Sequence, residues 1–337
     1  MRRFAVVAAG VLAAGALAGT ANADPAKFSG STSVGVHNTY ETGTYDYLAR
    51  ALDAGTGLIE LDVWPDIFTK EWKVSHSNPF GNSNNCVEAS SPADLYTGGK
   101  NKNLEHCLDD IRVWFAAHPD KGPLVLKLEM KTGFSANTGL GPDRMDQTFR
   151  DHLGGAVYRP ADLLGGHASL DEASKVDGWP SRDALRGKVI VEIIPGTVEE
   201  GNPTDTLKTD VEYAGHLRSL AAAGKLGDGQ IFPAVHGAAG GDPRGKYADA
   251  GLRPWFVAFD GDASAYVNGI DTSFYDRNHY LLVMTDAHNV APKIDSRNPT
   301  EQQAADRAAQ LAKAHASVLT SDWAGLSPVL SKVLPRG

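Results

Sequence analysis

The sequence predicts an α/β chain folded as a single (β/α)8 barrel of the TIM type. Three observations lead there: short apolar β runs alternate with helical stretches, the runs number eight, and polar residues recur at their C-terminal ends. Runs that are apolar throughout and separated by helices indicate a parallel sheet covered on both faces. An open doubly wound sheet is the rival fold. No Gly-x-Gly-x-x-Gly follows the first run, so a dinucleotide role has no support.

The first 23 residues read as an address. Arg2 and Arg3 precede an apolar stretch over 4–18, and Ala21-Asn22-Ala23 offers a small-x-small cleavage site, so residues 1–23 form a secretory signal peptide. The stretch is short and rich in Ala and Gly, and no later one approaches the roughly 20 apolar residues of a membrane span. Residues 24–337 then form one exported barrel domain.

The runs follow in order. Residues 31–37 form a first strand, 46–54 an amphipathic helix, 57–64 a second strand and 72–76 a third. A helix over 104–117 stops before Pro119. Residues 123–129 are a fourth strand and 187–194 a fifth; later strands are 255–259, 280–285 and 317–320, the last after an Ala-rich helix over 301–314. The glycine-rich segments 139–155 and 237–245 read as long surface loops.

Composition narrows the function. The formal charge of −9 becomes −11 once Arg2 and Arg3 leave with the leader, which argues against charge-driven attachment to nucleic acid or anionic lipid. Only two cysteines are present, Cys86 and Cys107, and in an exported chain an isolated pair bridges more often than it stays free. The closed loop of about 20 residues is worth about 3 kcal/mol. Zinc thiolates would need closer spacing.

The chemistry gathers at strand ends. Glu60 and Asp62 lie two apart on one strand, so both carboxylates enter one space, where burial is costly without a cation or donors to hold them. His37-Asn38 ends the first run, His76 the third and Glu129 the fourth, all on the rim where such barrels keep their active sites. Asn38, Glu60, Asp62 and Glu129 offer only oxygen, which suits calcium or magnesium rather than zinc. That leaves His37 and His76 for proton transfer at the entering and leaving oxygens of a phosphoryl transfer.

The words His37-Asn38-Thr39-Tyr40, Glu60-Leu61-Asp62-Val63-Trp64, Ser75-His76 and Leu126-Lys127-Leu128-Glu129 resemble the catalytic half of calcium-dependent phosphatidylinositol-specific phospholipases C, most closely the secreted actinobacterial type. Leu185 to Val191 is similar to their fifth strand, so the resemblance spans roughly residues 31 to 195. It implies that His37 and His76 carry catalysis and that Asn38, Glu60, Asp62 and Glu129 hold Ca2+. The implied reaction is attack by the inositol 2-hydroxyl on phosphorus, releasing diacylglycerol and inositol 1,2-cyclic phosphate, with inositol 1-phosphate after hydrolysis. His76 would be the general acid; His37 would either take the 2-hydroxyl proton or stabilise the phosphoryl oxygens, with Glu60 the competing base.

Lys127 and Lys131 share the face of Glu129 and are candidate phosphate contacts, or they neutralise the carboxylates. Where eukaryotic relatives carry ring-phosphate lysines, this chain has Glu192 and Ile194, so unphosphorylated phosphatidylinositol is the expected substrate; alternatively Glu192 is simply paired. Phe80 or Trp64 could meet the membrane or micelle interface, although Trp64 reads better as packing. His236, Asp260, Asp262, Asp286 and His288 either line the inositol pocket or cap loops. No protein partner is implied, and a monomer is expected. Two alternatives stand beside the phospholipase: a glycerophosphodiester phosphodiesterase, in which Arg rather than Asn38 typically follows the first histidine, and a secreted phospholipid or sugar-phosphate binding barrel without turnover, against which the intact histidine pair counts.

Overall fold

The computed structural model describes residues 27–77 and 80–337; the leader read at 1–23 lies outside the described residues. Among the described residues ten strands form one sheet. Eight of them run parallel and close on themselves: β1 (Ser31–Val36), β2 (Leu58–Asp66), β4 (Leu124–Met130), β5 (Val189–Pro195), β6 (Phe232–His236), β7 (Ala258–Asp262), β8 (Leu281–Thr285) and β9 (Val318–Ser321). Two flank them antiparallel: β3 (Glu71–Val74) pairs with β2, and β10 (Val333–Pro335) with β1. The (β/α)8 barrel is therefore the fold.

The closing seam is narrow. β1 meets β2 only through Gly35↔Leu58 and Val36↔Ile59, and a Cβ at Gly35 would lie 2.6 Å from the Leu58 Cβ, so a side chain there would hold the seam open. The strands β1, β4 and β5 are buried along nearly their whole length, as for a sheet covered on both faces. The helix Leu104–Ala117 buries Leu104, Leu108, Ile111 and Phe115, one stripe at helical spacing. Cys86 and Cys107 form a disulfide that pins the segment after β3 to this helix. Among the described residues no helix is long and apolar enough to cross a membrane.

The count of eight staves holds through two errors that offset each other, one run that is no stave and one stave that is not among the runs. The run 72–76 is real as β3, but it pairs antiparallel on β2 as the second arm of a hairpin and is not a barrel stave. The fifth stave in chain order, β6, is not among the eight runs read from sequence; it carries Pro233, and proline argues against a central strand. Its ladders are short enough to accept this: it pairs with β5 only at Phe232 and Pro233 and with β7 only from Ala234 onward. The run 255–259 is displaced, since residues 250–255 form 3-10 turns and β7 starts at Ala258.

The segment 139–155 is not a loop throughout. Pro142–His152 is an α-helix with Pro at its first turn, burying Met145 and Phe149. Glycines at 139, 141, 154 and 155 bracket this helix and hide its apolar stripe. Thr209–Ala222 is a second helix that the sequence reading passed over.

Candidate active site

The site grows from the barrel register. Glu60 pairs with Lys127 and Asp62 with Glu129 across β2 and β4, so alternate positions of two adjacent strands place three carboxylates and a lysine at one rim. Ligand oxygens of Glu60, Asp62 and Glu129 lie within 4.8 Å of one another. Asn38 lies in the turn after β1, in the left-handed region at φ 49°, which Asn tolerates better than most residues, and its backbone N–H bonds the Glu60 carboxylate. Thr39 locks that turn to β2, its hydroxyl donating to the Glu60 carbonyl and accepting from the Glu60 N–H, both at 3.0 Å.

The cluster suits a hard cation. Asn38 Oδ1 and Asp62 Oδ1 are each buried with no hydrogen-bond partner, an arrangement that costs free energy unless a cation or a donor meets them. Three carboxylates and an amide oxygen are the donor set that calcium takes.

Electrostatics divides the carboxylates. Burial opposes ionisation of Glu60, but Lys127 at 3.3 Å and His37 outweigh it and hold this carboxyl below the usual range. Burial pushes Asp62 up to about 7; repulsion from Glu129 and Glu60 adds to this, and Lys131 pulls the other way. Both lysines are engaged by carboxylates. Lys127 Nζ sits 3.3 Å from Glu60 and 3.0 Å from Asp260, whereas Lys131 Nζ sits 3.1 Å from Asp62 and 2.8 Å from Glu129.

The two histidines flank the carboxylates. His37 Nδ1 lies 2.9 Å from Asp322 Oδ1, and its Nε2 points toward Glu60 at 3.8 Å. Burial lowers the affinity of the ring for a proton, but Glu60 and Asp322 prevail and raise His37 to about 9. Asp322 is the residue that sequence reasoning missed. The register pairs Val36 with Ser321, so residues 37 and 322 leave the barrel side by side, a relation visible only once β1 is known to neighbour β9. His76 does not end a barrel strand; the β2–β3 hairpin brings it to the rim, where its Nδ1 lies 3.2 Å from Glu41.

Two cavities meet at His37. The outer, about 660 Å³, is lined by His37, Asn38, Glu41, His76, Arg297 and Asp322 among others. The inner, about 150 Å³, is bounded by His37, Lys127, Glu129, His236, Asp260 and Asp286 among others. His236 and Asp286 thus reach the cavity, while Asp262 caps the helix Ala263–Val267 and His288 lies 2.9 Å from the Ser321 hydroxyl. Trp64 packs inward and donates to the Ser75 carbonyl at 2.6 Å, as expected. Glu192 departs from the repulsion reading. It is buried within the barrel rather than presented to a ring phosphate, and burial first, then Asp260, drives its carboxyl well above the usual range. Ile194, on the inner cavity wall, supplies no cation there either.

The solved structure of a Ca2+-dependent phosphatidylinositol-specific phospholipase C from Streptomyces antibioticus superposes on this chain with a TM-score of 0.91 and 57% identity, over 92% of this chain and 99% of that one. This chain belongs to the calcium-dependent phosphatidylinositol-specific phospholipases C. A family model for phosphoinositide phospholipase C, Ca2+-dependent, matches residues 92–201 of this phospholipase-family chain, a span that holds Lys127, Glu129 and Lys131. A calcium-dependent phosphoinositol-specific phospholipase C from Pseudomonas sp., described as apo and in a myo-inositol complex, shares the fold at a TM-score of 0.70 and 22% identity, over 92% of this chain and 96% of that one. No curated protein matches the sequence.

Proposed function

We propose that this chain is a secreted calcium-dependent phospholipase C that cleaves phosphatidylinositol to diacylglycerol and inositol 1,2-cyclic phosphate, with inositol 1-phosphate as the hydrolysed product. The observation that carries the reading is the pair His37 and His76 on one cavity beside the Asn38, Glu60, Asp62 and Glu129 oxygens, in a chain 57% identical to a phospholipase of that class. Those four residues hold the ion, which when bound acidifies the inositol 2-hydroxyl and offsets charge on a phosphoryl oxygen.

The protein groups do the rest. The 2-hydroxyl oxygen bonds to phosphorus as the phosphorus–glycerol bond breaks, and His76 supplies the proton that the departing glycerol oxygen needs. The 2-hydroxyl proton goes to His37 or to Glu60. Asp322 at Nδ1 fixes the ring so that Nε2 faces the inner cavity. Lys127 borders that cavity and is the better placed lysine for substrate; Lys131 borders neither cavity. The inner cavity takes the inositol ring through His236, Asp260 and Asp286, and the pairing of its Lys127 with Glu60 and Asp260 fits an unphosphorylated ring.

Membrane contact comes from the rim. Ile67 and Phe68 cap the β2–β3 hairpin and Phe80 follows β3, exposed at 44%, 81% and 84%. The chain acts as a monomer at this interface. Export rests on the leader at 1–23 and on the Cys86–Cys107 disulfide.

The test is product release from phosphatidylinositol micelles with calcium and with excess chelator, alongside glycerophosphoinositol. Calcium-dependent diacylglycerol with cyclic inositol phosphate is expected. Cleavage of the deacylated substrate alone would make the protein a glycerophosphodiesterase, and silence on both would make it a binding barrel.

A further inference from the structure

The carboxylate cluster contains a positive charge of its own. Lys131 is 6% exposed, and its backbone is gripped from both sides: its N–H donates to the Val63 carbonyl at 2.9 Å, and its carbonyl accepts from Glu199 N–H at 2.8 Å. The side chain therefore starts from a fixed point. Its ammonium takes one oxygen of Asp62 and one of Glu129, leaving Asp62 Oδ1 buried without a partner. An ammonium placed to contact substrate would border a cavity, and this one borders neither. Lys127 cannot substitute for it, being committed to Glu60 and Asp260.

We propose that Lys131 is the charge-balancing residue of the calcium centre: a fixed ammonium that holds Asp62 and Glu129 in position, weakens calcium binding by repulsion, and keeps the loaded centre receptive to an anionic phosphodiester. The inference rests on the calcium reading above. Three ionised carboxylates around a divalent ion leave one negative charge, which would repel the substrate phosphate; the ammonium cancels it. The same ammonium raises the energy of the incoming ion, because like charges so close are poorly screened in a buried site. The centre thus trades affinity for the metal against affinity for the substrate.

The experiment is calcium titration by calorimetry on the full chain and on its Lys131→Gln and Lys131→Arg variants, with KM measured for phosphatidylinositol at saturating calcium. Lys131→Gln should bind calcium at least tenfold more tightly, about 1.4 kcal/mol, and should show a raised KM. Lys131→Arg, which keeps the charge, should stay near wild type in both. Unchanged or weaker calcium binding by Lys131→Gln overturns the inference while leaving the calcium reading intact. If Lys131→Gln does not fold, a large gain in affinity by the charge-retaining Arg variant overturns it instead. Wild-type protein that gives no calcium-binding heat overturns the calcium reading and this inference together.

Discussion

Replacing Asp322 with Asn should lower the proton affinity of His37 and, through it, reshape the pH dependence of turnover. The ring stands at about 9 instead of 6.5 because Glu60 at 3.8 Å and Asp322 at 2.9 Å together outweigh burial. An opposite charge at such range moves a pKa by about 1 to 3 units, so Asp322→Asn should bring His37 down by about 1 unit or more while keeping a side chain of the same shape. The assay is an NMR titration of the His37 ring in chelator, wild type against variant. Added calcium should also lower the wild-type midpoint, since a cation on Glu60 cancels part of the field that holds the ring charged. The sign for stability follows from linkage. The folded-state value lies above the unfolded one, so the stabilisation from charged His37 is full below 6.5 and is lost as pH rises through about 9. A midpoint identical in wild type and variant would refute the dyad.

The other expectations concern the remaining parts of the site and its support. His76→Ala should abolish diacylglycerol release with calcium binding intact by calorimetry, because its ring faces Glu41 and the outer cavity rather than the carboxylate cluster. Since burial and neighbouring carboxylates hold Asp62 up to about 7, calcium affinity should fall as pH drops through that value, with proton release on binding measurable in buffers of different ionisation enthalpy. Asp62→Asn should raise the calcium requirement for turnover sharply; full activity in chelator would contradict the metal assignment. Reducing the Cys86–Cys107 disulfide, with its separation of 21 residues, should cost about 3 kcal/mol and lower the melting temperature more than it lowers activity.

What the sequence disclosed depended on whether a residue's role is local. Glu60, Asp62 and Glu129 were legible because strand periodicity alone puts alternate side chains on one face, and the barrel delivers that face to the rim. The disulfide needed only the cysteine count. Asp322 was not legible, since its meaning comes from the closure of β1 against β9 across nearly the whole chain. β6 is hard to see because Pro233 is a local signal against a strand that its short ladders overrule, and β3 resembles a stave because a run's own residues do not declare the direction of its neighbour. The repulsion argument at Glu192 failed for a related reason. Its place along the strand was read correctly, but its burial belongs to the assembled barrel.

The interior of this barrel explains why its site can be both charged and rigid. Beneath the rim, Lys127 on β4 joins Glu60 on β2 to Asp260 on β7, an ion pair spanning the barrel from one wall to the opposite one. Removing charges from water is costly, and an apolar layer at this height would serve stability at least as well. What the charged layer adds is position. Glu60 is tied through Lys127 to a distant strand and through its own backbone to Thr39, so the carboxylate beside His37 cannot swing toward solvent. Glu192 completes the layer, with burial and then Asp260 holding its carboxyl well above the usual range. The stability forgone in the core is thus converted into fixed geometry at the one rim where a carboxylate displaced by an ångström would no longer meet both the ion and the histidine.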